Sequence, residues 1–340
     1  MIRYGILGFG SHGDRRLMPG FARATRSRVS AISRRSLERA RESAARYGIP
    51  HAFDSKEALC RHPEVDAVFV ATPNSEHHDD VLLALRSGKP VLCEKPMALD
   101  AGEAEDMARA ARETGLPLGV AHVFRFEAST QRLRERVAAR EVGTPVFARA
   151  EFSYSGRGHS RNWLLNRQIS GGGPVADVGI HCLDALRYIL GDEVARVAAL
   201  GRGDSESGDV EAAAVVSLEF SRGTLAVLLN SIRAQYRTPL ELVGEHASLR
   251  ADNAFSVEAP VTIELIRPGR PVERETVDNS DAYARQVDAF AATIEEDAPF
   301  PVPAEQGWRN QIVLDAAYRA MRTGAAVELA AAALPEWANR

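Results

Sequence analysis

The chain opens with the stretch Ile2-Arg3-Tyr4-Gly5-Ile6-Leu7-Gly8-Phe9-Gly10-Ser11-His12-Gly13, which decides its fold. The first half is an apolar run of strand length, and the second half matches the pattern G-x-G-x-x-G. In that pattern one glycine makes a tight turn, the next lets a pyrophosphate approach the backbone, and the third allows close packing of a helix. The free N–H groups at the start of that helix suit an anion. The stretch therefore predicts a dinucleotide-binding βαβ unit.

Apolar runs of strand length alternate with helical patterns up to about residue 120. Asp100 and Glu103 have the spacing of a capping box, which predicts that a helix begins there. Strands that alternate with helices predict a parallel sheet covered on both faces, the doubly wound α/β class. The predicted strands are Ile2–Leu7, Arg28–Ile32, Ala67–Ala71, Pro90–Cys93 and Leu116–Ala121.

The alternation of strands with helices ends at about residue 123. Longer predicted strands, in which apolar and polar residues partly alternate, follow one another from there. Ser221-Arg222-Gly223 has the composition of a hairpin turn between two of them. Runs of strands with few helices indicate a largely antiparallel sheet, so we expect an α/β domain over residues 1–122 and an α+β domain over residues 123–340. The predicted strands are Val146–Tyr154, Val194–Leu200, Val210–Phe220, Thr224–Ile232, Leu240–Val243 and Thr262–Ile266, and the predicted closing helices are Tyr283–Glu295 and Glu305–Met321.

Composition excludes several classes of protein. The 340 residues include 42 Lys and Arg against 46 Asp and Glu, with no basic tract, so nucleic acid is not an expected partner. No apolar run reaches the ~18 residues of a membrane span, and no secretory segment precedes the first strand. The cysteines are odd in number and lack a C-x-x-C pair, which predicts a reduced, cytoplasmic protein without a structural zinc site. Only Lys56, Lys89 and Lys95 are lysine, so a lysine in a motif is informative.

The end of the second predicted strand favours one cofactor over another. An acidic residue about 20 positions after the glycine motif would bind the ribose 2′-hydroxyl of NAD. The chain instead has Ser33 followed by Arg34 and Arg35. A guanidinium binds a phosphate bidentately, so we expect NADP to be preferred, with NAD as the other option. The alternative is that these arginines are surface residues at a helix start, without a binding role, in an arginine-rich protein.

Two further segments end predicted strands at the edge where a doubly wound sheet binds ligands. Ala71-Thr72-Pro73-Asn74 follows one strand, and Cys93-Glu94-Lys95-Pro96 follows the next. Lys95 could donate a hydrogen bond to a substrate oxygen there, and the alternative is a solvated loop lysine. The run Glu76-His77-His78-Asp79-Asp80 resembles a metal cluster only superficially, because adjacent helical residues point about 100° apart. We therefore expect no metal.

The segment from Gly171 to Asp184 combines three glycines, expected to be flexible, with a proline that suits the first turn of a helix and a mostly apolar helix. Asp177 and His181 are four residues apart and would share a helix face. Polar groups on a buried helix are costly unless they have partners. Histidine is the usual general base for an alcohol proton, so the pair suits proton transfer. The alternative is structural, with an aspartate that fixes a core histidine.

Together these segments resemble the Gfo/Idh/MocA family of NAD(P)-dependent oxidoreductases, and the resemblance covers nearly the whole chain. It implies a Rossmann domain followed by an open-faced, largely antiparallel sheet domain, with a homodimer or homotetramer formed through that sheet. Within the family, Ser33-Arg34 is similar to the NADP-using branch of sugar dehydrogenases and 1,5-anhydro-D-fructose reductases. The resemblance rests on the glycine motif, Thr72-Pro73-Asn74 with His77, the run from Gly88 to Pro96, the run from Gly171 to Asp184, and Tyr283-Ala284-Arg285-Gln286.

The resemblance also implies roles for individual residues. Lys95, Asp177 and His181 match the catalytic lysine, aspartate and histidine. His181 would exchange the proton of the reacting oxygen, Lys95 would orient that oxygen, and Asp177 would hold the substrate hydroxyls or the histidine. Trp163 matches a position that lines the substrate pocket, together with Asp177 and His181. The implied cofactor-binding positions are Gly8, Phe9, Gly10, Ser11, His12, Ser33, Arg34, Arg39, Ala71, Thr72, Pro73, Asn74, His77, Glu94, Lys95 and Tyr283.

The implied activity is reversible hydride transfer between NADP(H) and a hydroxyl or carbonyl carbon of a sugar, a sugar derivative or a cyclitol. An alternative is an enzyme that retains its nicotinamide and uses it transiently, as an aldose–aldose oxidoreductase or a redox-assisted glycosidase. A third alternative is a non-enzymatic NADP sensor, which the presence of all three catalytic residues disfavours. The segment 156–170, with Arg157, His159 and Arg161, departs from the family pattern, so the sequence names neither the sugar nor the reacting carbon.

Overall fold

The computed structural model describes residues 1–156, 162–257 and 259–329, which form two compact units. Met1–Val123 and Asp281–Gln311 make the first unit, and Phe124–Ser280 with the described residues from Ile312 onward make the second. The sequence prediction placed Asp281–Gln311 in the second domain. The structure differs from this prediction because Asp281–Gln311 returns to the first unit. There the Tyr4 hydroxyl donates a hydrogen bond to the Val287 carbonyl at 3.0 Å. Order along the chain could not reveal this return.

The first unit is built on a parallel sheet that, within the described residues, has six strands in the order β3-β2-β1-β4-β5-β6. Strand β4 is buried along its whole length, as expected for a sheet covered on both faces. The order reverses direction between β1 and β4, which is the doubly wound arrangement. The strands are β1 Ile2–Leu7, β2 Ser27–Ser33, β3 His51–Phe53, β4 Ala67–Val70, β5 Val91–Cys93 and β6 Leu118–Val120.

Local sequence explains where the helices of this unit begin and end. Asp100 accepts a 2.9 Å hydrogen bond from the Glu103 N–H, which confirms the predicted helix start. Ser36 and Ser55 cap two other helices in the same way. Gly115 ends the Asp100-capped helix in the left-handed conformation. The helices are α1 Met18–Arg23, α2 Leu37–Tyr47, α3 Lys56–Cys60, α4 His77–Arg86 and α5 Ala101–Thr114.

The second unit contains a sheet whose described part has nine strands in the order β14-β13-β12-β11-β7-β10-β9-β8-β15. The strand pairs described are antiparallel except β7 with β10, so the largely antiparallel prediction is confirmed. Ser221-Arg222-Gly223 joins β9 to β10 as predicted, with a φ of +91° at Gly223. The strands are β7 Pro145–Ser153, β8 Val194–Arg202, β9 Ala213–Phe220, β10 Leu225–Ser231, β11 Leu240–Gly244, β12 Ser248–Ala251, β13 Val261–Ile266, β14 Glu273–Val277 and β15 Val327–Glu328.

The faces of this second sheet differ. Buried and exposed residues alternate strictly along β9, so one face of the strand is packed and the other is open. Helices pack on the covered face, where the apolar helix Ile180–Leu190 contacts β7. None of the helices in the described residues has the length and apolar character needed to cross a bilayer. The remaining helices are α6 Ala128–Ala138, α7 Arg167–Ser170, α8 Ile180–Leu190, α9 Ala282–Glu296 and α10 Ala304–Thr323.

Candidate active site

The carboxyl ends of the parallel strands in the first unit carry the predicted cofactor residues. Gly8 follows β1, Thr72 lies just beyond β4, and Lys95 lies just beyond β5. Strands β1 and β4 are neighbours at the point where the strand order reverses, which is where doubly wound sheets bind ligands. The glycine loop, Thr72 and Lys95 therefore share one edge of the sheet.

The three glycines of the motif have three different environments, and together these fit a dinucleotide phosphate. Gly8 has a φ of +75°, and a Cβ there would lie 2.6 Å from the Thr72 side chain. A Cβ on Gly10 would meet nothing nearer than 3.7 Å, so this part of the backbone faces open space. A Cβ on Gly13 would lie 2.9 Å from the Phe9 ring. The turn, the open approach and the tight helix packing correspond to the roles expected from the motif.

The helix after the glycine loop begins as a π-helical turn, Gly13–Leu17, before continuing as α1. Sequence periodicity predicts an ordinary helix here and does not reveal the wider turn, a feature that recurs at functional sites. Ser11 accepts hydrogen bonds from the Arg15 guanidinium at 2.6 and 3.1 Å, which brings a cation to the start of this helix.

The end of β2 presents arginine side chains. Ser33 is buried, and its carbonyl accepts a 2.9 Å hydrogen bond from the Phe9 N–H, which fixes the glycine loop against β2. The half-buried Arg34 donates from Nη1 to Ser43 Oγ at 2.7 Å. Arg39 has an exposed side chain in the first turn of α2. The position at which NAD-binding sheets carry a carboxylate thus holds a hydroxyl flanked by guanidinium groups.

A buried network fixes the end of β4. Thr72 donates from Oγ1 to Asp80 at 2.7 Å, and Lys56 bonds both oxygens of the same carboxylate at 2.7 and 2.9 Å. Burial raises the pKa of Asp80 although Lys56 and Thr72 act to lower it. Lys56 was not among the predicted site residues, although the rarity of lysine in this arginine-rich chain is a signal that points to it.

His77 lies behind the ligand edge, at the start of α4. Its ring is completely buried, with Nδ1 2.9 Å from the Pro96 carbonyl oxygen and Nε2 3.0 Å from the Thr72 carbonyl oxygen. Burial lowers the pKa of His77, against the opposing effect of these carbonyls and of the Glu94 and Asp80 carboxylates. The family resemblance implies a cofactor contact for His77, and in the described geometry its ring lies between two backbone carbonyls.

The end of β5 pairs Glu94 with the glycine loop. His12 Nε2 lies 2.8 Å from Glu94 Oε1, so two predicted cofactor residues from different loops meet. Burial acts to raise the pKa of Glu94, but the His12 imidazole and the Lys95 ammonium outweigh it and hold that pKa below its usual range. Lys95 is half-buried, and the Lys95–Pro96 peptide bond is cis. The ring of Tyr283 lies 6.1 Å from that of His12, which brings a third predicted residue to this corner.

The glycine run of the second unit is tightly packed. A Cβ on Gly172 would lie 1.8 Å from the Tyr318 hydroxyl, and one on Gly173 would lie 2.2 Å from the Glu211 carbonyl oxygen. The expectation of a flexible glycine segment is therefore wrong, since Gly172 and Gly173 are buried and their glycine identity follows from close approach. The Glu211 carboxylate accepts hydrogen bonds from the Gly173 and Val175 N–H groups, both at 3.1 Å, and from Tyr318 at 3.0 Å.

Asp177 and His181 lie on consecutive parts of the helix that Glu211 anchors. Asp177 belongs to a π-helical turn, Val175–Gly179, and His181 to the first turn of α8. The prediction of a regular helix with both residues at helical spacing is corrected by that wider turn. Asp177 accepts a 2.7 Å hydrogen bond from the Tyr154 hydroxyl. Tyr154 was missed because it lies on a distant segment, just beyond β7.

Aromatic rings surround His181 within the second unit. The Phe124 ring meets the imidazole edge to face at 4.6 Å between centroids, and the Phe152 ring lies roughly parallel to it at 6.1 Å. His181 keeps 8% of its surface exposed, so a small polar group can reach it while most water is excluded. A histidine in such a position can take up or release a proton at a bound oxygen.

Trp163 lies in a short 3-10 helix, Asn162–Leu165, and is half-buried. Arg157, His159 and Arg161, which the sequence analysis singled out in the preceding loop, lie outside the described residues. Among the residues that the structure does describe, no group of three or more His, Cys, Asp or Glu side chains could hold a metal ion.

Two family models match the chain. The NAD-binding Rossmann model of the Gfo/Idh/MocA oxidoreductase family matches residues 2–122, and the C-terminal domain model of the same family matches residues 130–250. The chain belongs to the Gfo/Idh/MocA family. It is accordingly an NAD(P)-dependent oxidoreductase with a Rossmann domain and a largely antiparallel second sheet.

Individual relatives of this oxidoreductase align over nearly its full length. It is 32% identical to a 1,5-anhydro-D-fructose reductase of Ensifer adhaerens, with 97% of this chain and 99% of that protein covered. It is 33% identical to D-xylose 1-dehydrogenase (NADP(+)) 2 of Haloferax volcanii, covering 96% and 100%. The solved aldose-aldose oxidoreductase of Caulobacter crescentus superposes with a TM-score of 0.90 at 28% identity, covering 96% and 99%.

Proposed function

We propose that this oxidoreductase transfers hydride between NADP(H) and a hydroxyl or carbonyl carbon of a sugar, a sugar derivative or a cyclitol. The observation that carries the proposal is that one chain has both a glycine loop shaped for a dinucleotide and a buried, aromatic-lined helix that bears Asp177 and His181. The aligned relatives include an anhydrosugar reductase and an NADP-dependent xylose dehydrogenase, which supports the substrate class.

The proposed roles follow from the chemistry of each side chain. The bound nicotinamide supplies the hydride acceptor or donor. His181 takes up the alcohol proton during oxidation and returns it during reduction. The Lys95 ammonium donates to the reacting oxygen and stabilises negative charge there. Asp177, oriented by Tyr154, accepts hydrogen bonds from substrate hydroxyls, and Trp163 lines the pocket.

The proposed cofactor preference is NADP over NAD. Ser33 replaces the carboxylate that would repel a 2′-phosphate, and Arg34 and Arg39 supply guanidinium groups to bind it. The solved 3-ketoreductase from Actinomadura kijaniata was crystallised with NADP, and it covers 94% of this chain at 25% identity with a TM-score of 0.86. The three cysteines are buried free thiols, which fits the proposed cytoplasmic location.

A second candidate function is transfer between two sugars through a retained nicotinamide, which the 0.90 TM-score to an aldose-aldose oxidoreductase favours. The protein is titrated with NADPH and NADH while nicotinamide fluorescence is recorded, and a panel of ketosugars and cyclitols is then added. This experiment separates the dehydrogenase from the exchange enzyme. Tight NADPH binding with fluorescence lost on adding one ketosugar supports the dehydrogenase. Cofactor that survives purification and turns over only when two sugars are present supports the exchange enzyme.

We further propose that the open face of the second sheet pairs with that of a second copy. Phe147, Leu225 and Val243 are exposed by 54%, 48% and 37% on adjacent strands, an apolar cluster of the kind that marks interfaces. Arg149 on β7 and Glu241 on β11 are register neighbours of opposite charge, so a two-fold arrangement can match opposite charges. Light scattering should give a multiple of the 36.9 kDa chain mass, and Phe147→Arg should give the monomer with NADPH binding kept. A monomeric wild type contradicts this proposal.

A further inference from the structure

His77 joins the ends of two strands that are far apart in sequence. Its Nδ1 lies 2.9 Å from the carbonyl oxygen of Pro96, and its Nε2 lies 3.0 Å from the carbonyl oxygen of Thr72. Carbonyl oxygens only accept hydrogen bonds, so each ring nitrogen must donate for its contact to be favourable. Both contacts are hydrogen bonds at once only in the imidazolium, and burial disfavours that form and lowers the pKa of His77 despite nearby Glu94 and Asp80. In the neutral ring one nitrogen carries the proton, and a hydrogen bond to Pro96 requires it on Nδ1.

The Pro96 contact matters because Pro96 directly follows Lys95. Lys95 stands in a loop between β5 and α5, and its ammonium can assist the reaction only if that loop keeps a fixed position. The ring of His77 bonds the loop backbone one residue away and is itself locked by complete burial at the start of α4. The imidazole therefore connects a rigid helix to the loop that carries the proposed catalytic cation.

We propose that His77 is a positioning residue for Lys95, acting through the hydrogen bond from its Nδ1 to the Pro96 carbonyl. The kinetic part of this inference rests on the proposed function, because the rate of hydride transfer is used to detect a change in the position of Lys95. The structural part does not, since the Lys95 side chain can be observed without any substrate.

Two amide variants separate the Pro96 contact from the Thr72 contact. The side-chain nitrogen of an asparagine occupies about the place of Nδ1, whereas that of a glutamine reaches about as far as Nε2. His77→Asn thus keeps a donor toward Pro96, and His77→Gln keeps one toward Thr72. We expect His77→Gln to lower kcat about 3- to 10-fold, the effect of losing one hydrogen bond. His77→Asn should lower kcat less than His77→Gln does.

A measurement without turnover uses the scarcity of lysine. The chain contains only Lys56, Lys89 and Lys95, so a protein with 13C-labelled lysine gives three side-chain signals, and Lys95→Arg identifies that of Lys95. We expect His77→Gln to shift the Lys95 signal and His77→Asn to leave it in place. Lys89, which donates to the Val65 carbonyl at 2.6 Å, serves as the internal reference.

The outcomes are distinguishable. If the wild type transfers no hydride to any sugar but the Lys95 signal moves only in His77→Gln, the proposed function fails and the positioning inference stands. Equal behaviour of the two variants, in kcat or in the Lys95 signal, overturns the inference. If neither amide variant folds, the His77 ring serves only the stability of the first unit, and this result also overturns the positioning inference.

Discussion

The Tyr154 hydroxyl donates a 2.7 Å hydrogen bond to the carboxylate of Asp177, the proposed substrate-binding aspartate. A bond to a charged acceptor is short and strong, and this one holds the Asp177 carboxylate in a fixed orientation. Tyr154→Phe should therefore lower kcat/KM about 10-fold, mainly through KM, because one charge-assisted hydrogen bond is lost. Steady-state kinetics with the best sugar of the panel measures this change.

The control for that variant is Tyr188→Phe, on the same helix as His181. Tyr188 contacts the Arg134 guanidinium through its ring at 4.3 Å, a contact that phenylalanine keeps. Its kinetics should equal those of the wild type. An unchanged kcat/KM for Tyr154→Phe would show that the tyrosine does not orient Asp177 for substrate.

The proton-transfer role of His181 leads to a second prediction. His181→Ala should lower kcat about 100-fold or more, because the alcohol proton loses its acceptor, while NADPH affinity stays the same. His246→Ala, an exposed histidine in the loop after β11, is the matched control and should have no effect. A His181→Ala enzyme with wild-type kcat would reject the assigned role.

The cofactor preference depends on Arg34. Arg34→Ala should weaken NADPH binding about 10-fold or more and leave NADH binding nearly unchanged, because only NADPH carries the 2′-phosphate. Fluorescence titration with both nucleotides measures the ratio. Arg41→Ala, which removes an exposed arginine further along α2, should change the ratio little. If both nucleotides weaken equally in Arg34→Ala, the guanidinium supports the fold of the loop and not the recognition of the phosphate.

These residues show what the sequence could and could not predict. Five of the six Rossmann strands, the hairpin at Gly223 and the cap at Asp100 were predicted because each depends on local patterns. Strands β3, β12, β14 and β15 were missed, since short runs and polar edge strands carry little periodic signal. Tyr154 and Glu211 were missed for a different reason. Each acts on the helix of Asp177 from a remote segment, and no spacing in one sequence records that distance.

Two Arg–Asp pairs of this protein share a hydrogen-bond pattern but differ in burial. Arg125 binds Asp184 through two hydrogen bonds of 2.8 and 2.6 Å with both side chains buried, whereas Arg250 binds Asp252 in the same two-fold manner at the surface. Asp184→Asn should lower the free energy of unfolding by about 3–5 kcal/mol, because it leaves a buried guanidinium without its counter-charge. Asp252→Asn should leave the unfolding curve nearly unchanged, because water screens that pair.

Denaturant unfolding of the two asparagine variants checks this contrast. Equal and small effects would mean that water enters around Arg125 and screens the buried pair. Equal and large effects would mean that the surface pair is held in a rigid geometry that exposure does not suggest.

The His78–Asp106 pair should make stability depend on pH. Asp106 accepts a 3.0 Å hydrogen bond from His78 Nε2. Burial acts to lower the pKa of His78, but Asp106 and Asp79 outweigh it and raise that pKa, while His78 lowers the pKa of Asp106. The raised pKa of His78 adds stability that is complete below about pH 6.5 and is lost as the pH rises through the folded value. The lowered pKa of Asp106 adds stability that is lost as the pH falls through its own folded value.

The pair is therefore strongest in mildly acid solution, and Asp106→Asn should lower the unfolding midpoint more at about pH 5.5 than at about pH 8.5. The Arg109 guanidinium also binds Asp106, but it stays charged throughout this range, so its contribution does not change between the two conditions. Thermal unfolding of the wild type, Asp106→Asn, His78→Gln and the double variant isolates the coupling between the two side chains. A coupling of equal size at both pH values would show that the imidazole bonds Asp106 as a neutral donor, with no imidazolium in the folded protein.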